Sequence, residues 1–265
     1  MCRDCGCEEA NHEHQKIHEH WVNGKWVRHS HVPSDPASGV PRLIEKPRRI
    51  TLEESILAKN DRIARDNRSW FTQNGIIVFN LISSPGSGKT YLLEKTIQKL
   101  GSKVNIAILT GDQEHDFDAE RLKSAGARVK QLNTRSSCHL DASMIQREMG
   151  GFIRPEPHLL IIENVGNLVC PAAFDLGEAM KIALLSCTEG EDKPSKYPLL
   201  FSEASIILLT KMDLVPHLDW KLALCEEHIR RVNSSAPIFH VSARTEAGLE
   251  PWLSFLEVGL REQVA

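Results

Sequence analysis

The chain has 265 residues, 41% hydrophobic and 25% charged, enough apolar material for one large core with room for an appendage. A formal net charge of −3 points to neither a nucleic acid nor an anionic membrane surface as partner. No apolar run approaches the roughly 20 residues of a membrane span, and Met1-Cys2-Arg3-Asp4 lacks the apolar core of a signal peptide, so a cytosolic location is expected. In that compartment seven cysteines read as metal ligands or core residues before disulfide partners, and an odd number cannot all pair within the chain.

Residues 1 to about 48 form a distinct amino-terminal arm. Cys2, Cys5 and Cys7 are followed by His12, His14, His18, His20, His29 and His31, then by Pro33, Pro36, Pro41 and Pro47. With few aliphatic side chains the arm cannot offset its ordering entropy, so it is expected to be largely disordered without metal. In Cys2-Arg3-Asp4-Cys5-Gly6-Cys7, Gly6 lets the chain turn tightly enough for three thiols to meet one ion. Together with the α-amino group they make an S₃N set; a planar arrangement suits Ni(II), a tetrahedral one Zn(II), and the sequence leaves that choice open. The plainer reading of these cysteines is a redox or inert role. His12-Glu13-His14 and His18-Glu19-His20 would hold several divalent ions loosely, or are simply a solvated tail.

The second domain, residues 49–265, opens on a helical pattern from Thr51 to about Phe71. Thr51 is the expected N-cap with Glu54 three residues on, and Leu52, Ile56, Ala58, Ile63 and Ala64 fall near one face. After it, apolar runs alternate with amphipathic segments. Strands are expected at Ile76 to Ile82, Val104 to Leu109, Ala127 to Leu132, Leu159 to Ile162, Ile182 to Leu185, Ser205 to Leu209 and Ile238 to Val241. Such near-continuous β-branched runs suit a mostly parallel sheet buried on both faces, giving an α/β fold of the P-loop NTPase kind. Ligands then sit beyond the carboxyl ends of the strands.

The first strand runs into Ser83-Ser84-Pro85-Gly86-Ser87-Gly88-Lys89-Thr90, a phosphate-binding loop with Ser83 where the general pattern has glycine. In the turn from Pro85 to Gly88, the backbone N–H groups of Gly86, Ser87 and Gly88 cradle phosphate oxygens, Lys89 reaches the β- and γ-phosphates, and Thr90 offers its hydroxyl to Mg²⁺. Asp112 and Asp118 are candidates for Mg²⁺ or for orienting the attacking water, with a helix N-cap as the plainer reading of either. Glu163, at the end of Leu159 to Ile162, is a further Mg²⁺ and catalytic candidate, and the Gly166 amide is placed to sense a γ-phosphate. The bland reading of Glu163 is a carboxylate that ends a buried strand by chance.

Base identity is read further on. Thr210-Lys211-Met212-Asp213 follows a strand and resembles the guanine-reading element of GTPases, in which a carboxylate at Asp213 accepts from guanine N1–H and the 2-amino group while the Lys211 stem covers the ring. Ser242 and Ala243 sit where such proteins read guanine O6. This element argues against an ATP-dependent kinase on the same fold. Cys138-His139 and Cys170 also follow neighbouring strand ends and can converge on a metal, with isolated structural residues as the alternative. Cys170 lies on the segment that would respond to a γ-phosphate, which links metal geometry to nucleotide state. Cys187 and Cys225 are expected in the core, and His115 facing solvent.

Taken together, Cys2-x-x-Cys5-Gly6-Cys7, Ser83 to Thr90, Asp118-Ala119-Glu120-Arg121, Cys138-His139-Leu140-Asp141-Ala142 and Glu163 through Pro171 resemble the HypB family of hydrogenase nickel-incorporation GTPases, of the SIMIBI class. The resemblance makes Ser83 a family feature. It implies GTP, Mg²⁺, Ni²⁺ and Zn²⁺ as ligands, with a tight nickel site at Cys2, Cys5 and Cys7. It further implies a weaker nickel or zinc site from Cys138, His139 and Cys170, shared across a GTP-promoted homodimer, and partnership with the nickel chaperone HypA and a hydrogenase large-subunit precursor. Two departures stand out: His115 replaces a usual threonine, and Arg135-Ser136-Ser137 replaces a glycine-containing approach to Cys138. The urease-accessory relative, with Cys-Pro-His in place of Cys138-His139-Leu140, is a weaker match. The competing reading is a nickel store whose nucleotide domain is secondary.

Overall fold

The computed structural model describes residues 17–22, 25–30, 48–101, 103–112, 117–134 and 138–264, in two units that divide after Lys46. Cys2, Cys5, Cys7, His12, His14, His31 and His115 therefore lie outside the described residues.

In the first unit, β1 (Ile17–Val22) pairs antiparallel with β2 (Lys25–Ser30), an element not among the expectations for the arm. Its register sets Trp21 opposite Trp26, Glu19 opposite Arg28 and His18 opposite His29. In sequence the strands are separated by Asn23-Gly24, the dipeptide preferred in two-residue hairpin connections. That signal was there to be used.

The second unit opens on α1 (Arg48–Gln73). The helix starts three residues ahead of Thr51, which is thus inside its first turn and not its cap. Its buried stripe is Asn60, Ala64, Asn67 and Phe71, whereas Ile56 is 48% exposed and Ala58 is exposed. Two buried asparagines on this stripe are hydrogen-bonded to loops at the end of the sheet, so tertiary contacts, and not the apolar pattern, chose the inward face.

The elements that follow are β3 (Ile77–Ser83), α2 (Lys89–Leu100), β4 (Ile106–Asp112), α3 (Phe117–Ser124), β5 (Arg128–Asn133), α4 (Ala142–Glu148), β6 (Leu159–Glu163), α5 (Cys170–Ala173), β7 (Met180–Ser186), β8 (Ile206–Thr210), a 3₁₀ helix (Met212–His217), α6 (Leu222–Val232), β9 (Ile238–His240) and α7 (Leu249–Val264). Two single-turn helices lie between β7 and β8. The sheet has seven strands, all parallel, in the order β5-β4-β6-β3-β7-β8-β9, as the α/β reading expects. Every expected strand is present. Except in β9, each runs at least one residue past the last apolar position, into Ser83, Asp112, Asn133, Glu163, Ser186 or Thr210. The ladder continues through these polar residues because backbone bonds do not depend on side-chain polarity, and it delivers them to the ligand-binding rim.

One face of the sheet packs against α2 and α7 through Leu81, Leu93, Ile97, Trp252 and Leu256. The other packs Val78, Leu109 and Ile162 under Phe71 of α1, Leu140 and Ile145 of α4. β3 lies at the centre between β6 and β7, and Leu81 pairs with Glu163, so the phosphate-binding loop and the Glu163 segment emerge side by side.

Candidate nucleotide and metal sites

The loop after β3 turns through Gly86 at φ 70° and Gly88 at φ 97°, left-handed conformations that glycine adopts without a Cβ penalty. Lys89 Nζ donates to Ser83 Oγ at 2.8 Å, and Ser83 Oγ is 2.5 Å from Ser87 Oγ. Ser83 is fully buried, and its hydroxyl gives the lysine an acceptor inside the loop, a role glycine cannot fill. Thr90 Oγ1 lies 2.8 Å from Glu163 Oε1 and 3.0 Å from Asp118 Oδ2. One hydroxyl proton serves one of these carboxylates at a time. Three hard oxygens drawn together in this way are a donor set suited to Mg²⁺. Asp118 is the second residue of α3, so it is not that helix's cap. Asp112 ends β4 opposite Asn133. A cleft of about 470 Å³ joins the loop, Thr90, Asp118, Glu163 and Gly166. Gly166 sits tight against the phosphate loop, since a Cβ there would lie 3.0 Å from Pro85 Cα and Cγ and crowd it.

A second cavity of about 290 Å³ adjoins it, lined by Ser87, Gly88, Tyr91, Lys211, Asp213, Ala243 and Arg244 among others. Lys211 has φ 58° and donates from Nζ to Gly86 O at 2.6 Å, while Asp213 Oδ1 accepts from Ser242 Oγ at 2.6 Å. Thr210 Oγ1 donates to Ser87 O at 2.7 Å, tying this element to the phosphate loop. Cys187, expected in the core, is buried there and also donates from Sγ to Lys211 O at 3.0 Å. Cys225 is a plain core residue, its thiol pushed up to about 12 by burial.

Cys138, His139 and Cys170 come together: their ligand atoms all lie within 4.8 Å of one another. Cys138 Sγ is 3.8 Å from His139 Nδ1. Burial holds the imidazole below its ordinary value of 6.5 against the opposing pull of Asp141, so His139 is neutral and a lone-pair donor near pH 7. The Cys170 thiol is raised, first by its hydrogen bond with Cys138 and then by burial. Phe174 stacks on the His139 ring with centroids 3.9 Å apart and orients it. Two sulfurs and one imidazole fit borderline Zn(II) or Ni(II) and leave a coordination position open.

A buried polar chain that the motifs did not disclose joins the two sites. Asn164, next to Glu163, accepts at Oδ1 from Val165 N (2.9 Å) and from Leu140 N (3.3 Å), the residue after His139. Its Nδ2 donates to Asn80 Oδ1 at 3.2 Å, and Asn80 Nδ2 donates to Glu178 Oε1 at 3.2 Å. Burial pushes the Glu178 carboxyl up. The available signal was Asn80, a lone polar residue inside the apolar run of β3.

Residues 77–240 match the family described as CobW/HypB/UreG, nucleotide-binding domain. The hydrogenase maturation factor HypB of Azotobacter vinelandii is 44% identical over 279 residues, an alignment spanning 97% of this chain and 92% of that protein. The chain belongs to the HypB family. Among solved structures, HypB from Helicobacter pylori in complex with nickel is 37% identical with a TM-score of 0.72, covering 77% of this chain and 96% of that one. The hydrogenase maturation factor HypB of Archaeoglobus fulgidus is 36% identical with the same TM-score, covering 77% and 99%. Membership agrees with the family resemblance drawn from the motifs.

Proposed function

We propose that this chain is a GTP-hydrolysing nickel metallochaperone serving [NiFe]-hydrogenase maturation, with a metal site whose affinity follows nucleotide state. The observation that carries this reading is the placement of Cys170 beside Cys138 and His139 on the segment headed by Glu163, whose carboxylate meets Thr90. A relative crystallised with nickel supports the choice of cargo.

In this account Pro85 to Thr90 bind the phosphates, Lys89 leaves Ser83 for the β- and γ-oxygens, and Lys211, Asp213, Ser242 and Ala243 read guanine. Thr90, Asp118 and Glu163 are the residues that would hold Mg²⁺, which would supply positive charge beside the phosphates. Asp112 and Asp118 orient water. Arg121 lines the cleft but is held by Glu94 at 2.6 Å, and no side chain is poised there as a ready charge-stabilising finger among the described residues, so hydrolysis is slow and switch-like. Gly166 senses the γ-phosphate, and Asn164 transmits the shift to Leu140 and so to His139. A coupling of about 1.4 kcal/mol changes metal affinity tenfold, enough to bias transfer.

Nickel is captured by Cys2, Cys5 and Cys7 and passes toward the Cys138/His139/Cys170 site, which also takes zinc and whose open position is completed across a GTP-promoted homodimer. Hydrolysis releases the ion to a hydrogenase large-subunit precursor through the chaperone HypA. The work takes place in the cytosol; no helix among the described residues is long and apolar enough to cross a membrane. Lys89→Ala is expected to abolish GTP turnover while nickel still binds the amino-terminal thiols, measured by phosphate release and by nickel titration. Undiminished turnover in that variant contradicts the assignment.

A further inference from the structure

We infer that Asn60 and Asn67 of α1 are positioning residues for the metal site: they clamp the Cys138/His139 segment and the Cys170 segment to one another. The inference rests on the metal-site reading above and names the part of the fold that sets its ligand spacing.

Cys138 and His139 lie in the loop that leads into α4, and Cys170 opens the four-residue α5, so each ligand is held only as well as the backbone around it is tethered. Ala142, three residues beyond His139, is bonded through both of its backbone groups to α1. Its amide donates to Asn60 Oδ1 at 2.9 Å, and its carbonyl accepts from Asn67 Nδ2, also at 2.9 Å. The same two side chains reach the other segment. Asn60 Nδ2 donates to Asp175 O at 2.7 Å, and Asn67 Nδ2 donates to Leu176 O at 3.0 Å. Each asparagine thus bridges the first residue of α4 and the loop after α5, and the pair is stacked two helical turns apart on the buried stripe of α1. Phe174, adjacent to Asp175, carries the ring that stacks on His139, so the tether on that loop also holds the imidazole.

The clamp cannot slide. A Cβ on Gly177, at φ 91°, would come within 2.6 Å of Asn67 Cβ and 2.8 Å of Ala64 O, so helix and loop are already in close contact there. Asn60 serves the two segments with one acceptor and one donor, and Asn67 with the two hydrogens of its single amide nitrogen; leucine, the near isostere, can make none of these bonds. Outer-shell partners of metal ligands typically contribute 10- to 100-fold in affinity.

The test uses the full chain with Cys2→Ser, Cys5→Ser and Cys7→Ser, with Zn(II) titrated against a chromogenic chelator that outcompetes the loosely binding arm histidines, so that the Cys138/His139/Cys170 site is reported. Asn60→Leu and Asn67→Leu are each expected to weaken Zn(II) binding about tenfold or more, with GDP affinity changed less than twofold. Thr96→Val, which removes the acceptor of Trp252 Nε1 on the opposite face of the sheet, serves as a destabilised control and is expected to keep full zinc affinity. Should a leucine variant lose GDP binding and hence its fold, Asn60→Asp keeps the acceptor for Ala142 N, loses the donor to Asp175 O, and is expected to give an intermediate weakening. Zinc affinity unchanged in the asparagine variants, or reduced equally in Thr96→Val, overturns the clamp alone. No zinc binding by the parent triple variant overturns the metal-site reading and the clamp with it.

Discussion

Replacing Asp213 with asparagine tests how the base is read, and the structure sets the size of the effect. Asp213 Oδ1 accepts the Ser242 hydroxyl proton at 2.6 Å. An asparagine keeps that bond only by turning its carbonyl to Ser242, which points its NH₂ toward the base, where guanine presents the donors N1–H and 2-amino. Two charge-assisted hydrogen bonds of about 1.5–3 kcal/mol each are lost, so guanine nucleotides should bind about 10²- to 10⁴-fold more weakly. Xanthine carries a carbonyl in place of the 2-amino group and can accept from the new amide, so XDP should gain where GDP loses. Calorimetric titration of GDP, XDP and ADP against Asp213→Asn and the unaltered chain measures both changes. GDP affinity within a few-fold of the original, or a preference for ADP in the unaltered chain, refutes the guanine-pocket assignment.

Asn164→Ala leaves Leu140 N, Val165 N and Asn80 Oδ1 without their partner; at about 1–3 kcal/mol for each buried group left unpaired, a loss of at least ~2 kcal/mol is expected by denaturant unfolding. In the same variant, zinc affinity at the Cys138 site should no longer differ between GDP and a non-hydrolysable GTP analogue, and a preserved difference removes Asn164 from the relay. The pH dependence follows from the thiols. Metal must displace a proton from the raised Cys170 thiol, while His139, lowered by burial, has already lost its own near neutrality. Affinity is therefore weakest at low pH and strengthens as pH rises, with the logarithm of the binding constant climbing by at least about 1 per pH unit across ~pH 7–8. A flat profile there excludes thiolate ligation.

The parallel sheet was legible because strands buried on both faces leave near-continuous apolar runs, and the sites because every motif follows a strand end. Cys170 is far from the adjacent Cys138 and His139 in sequence, yet their ligand atoms meet, since β5 and β6 both flank β4 and deliver their loops to one rim. What stayed hidden was polar and buried. Asn60 and Asn67 face inward where periodicity favoured Ile56 and Ala58, because hydrogen bonds to distant loops leave no mark in local pattern. The chain from Asn80 to Glu178 spans 98 residues and depends on tertiary packing for both partners. The β1–β2 pairing is a different case: Asn23-Gly24 between alternating segments is a local signal, outweighed by a composition argument made over the whole arm.

The central claim is that nucleotide state sets the affinity of the Cys138/His139/Cys170 site. Nickel and zinc titrated into the purified chain, with GDP and then with a non-hydrolysable GTP analogue, while dimerisation is followed by light scattering, test it most directly. The account predicts at least an approximately tenfold shift in affinity at this site between the two states, appearing together with the dimer. Identical metal affinities in both states contradict it.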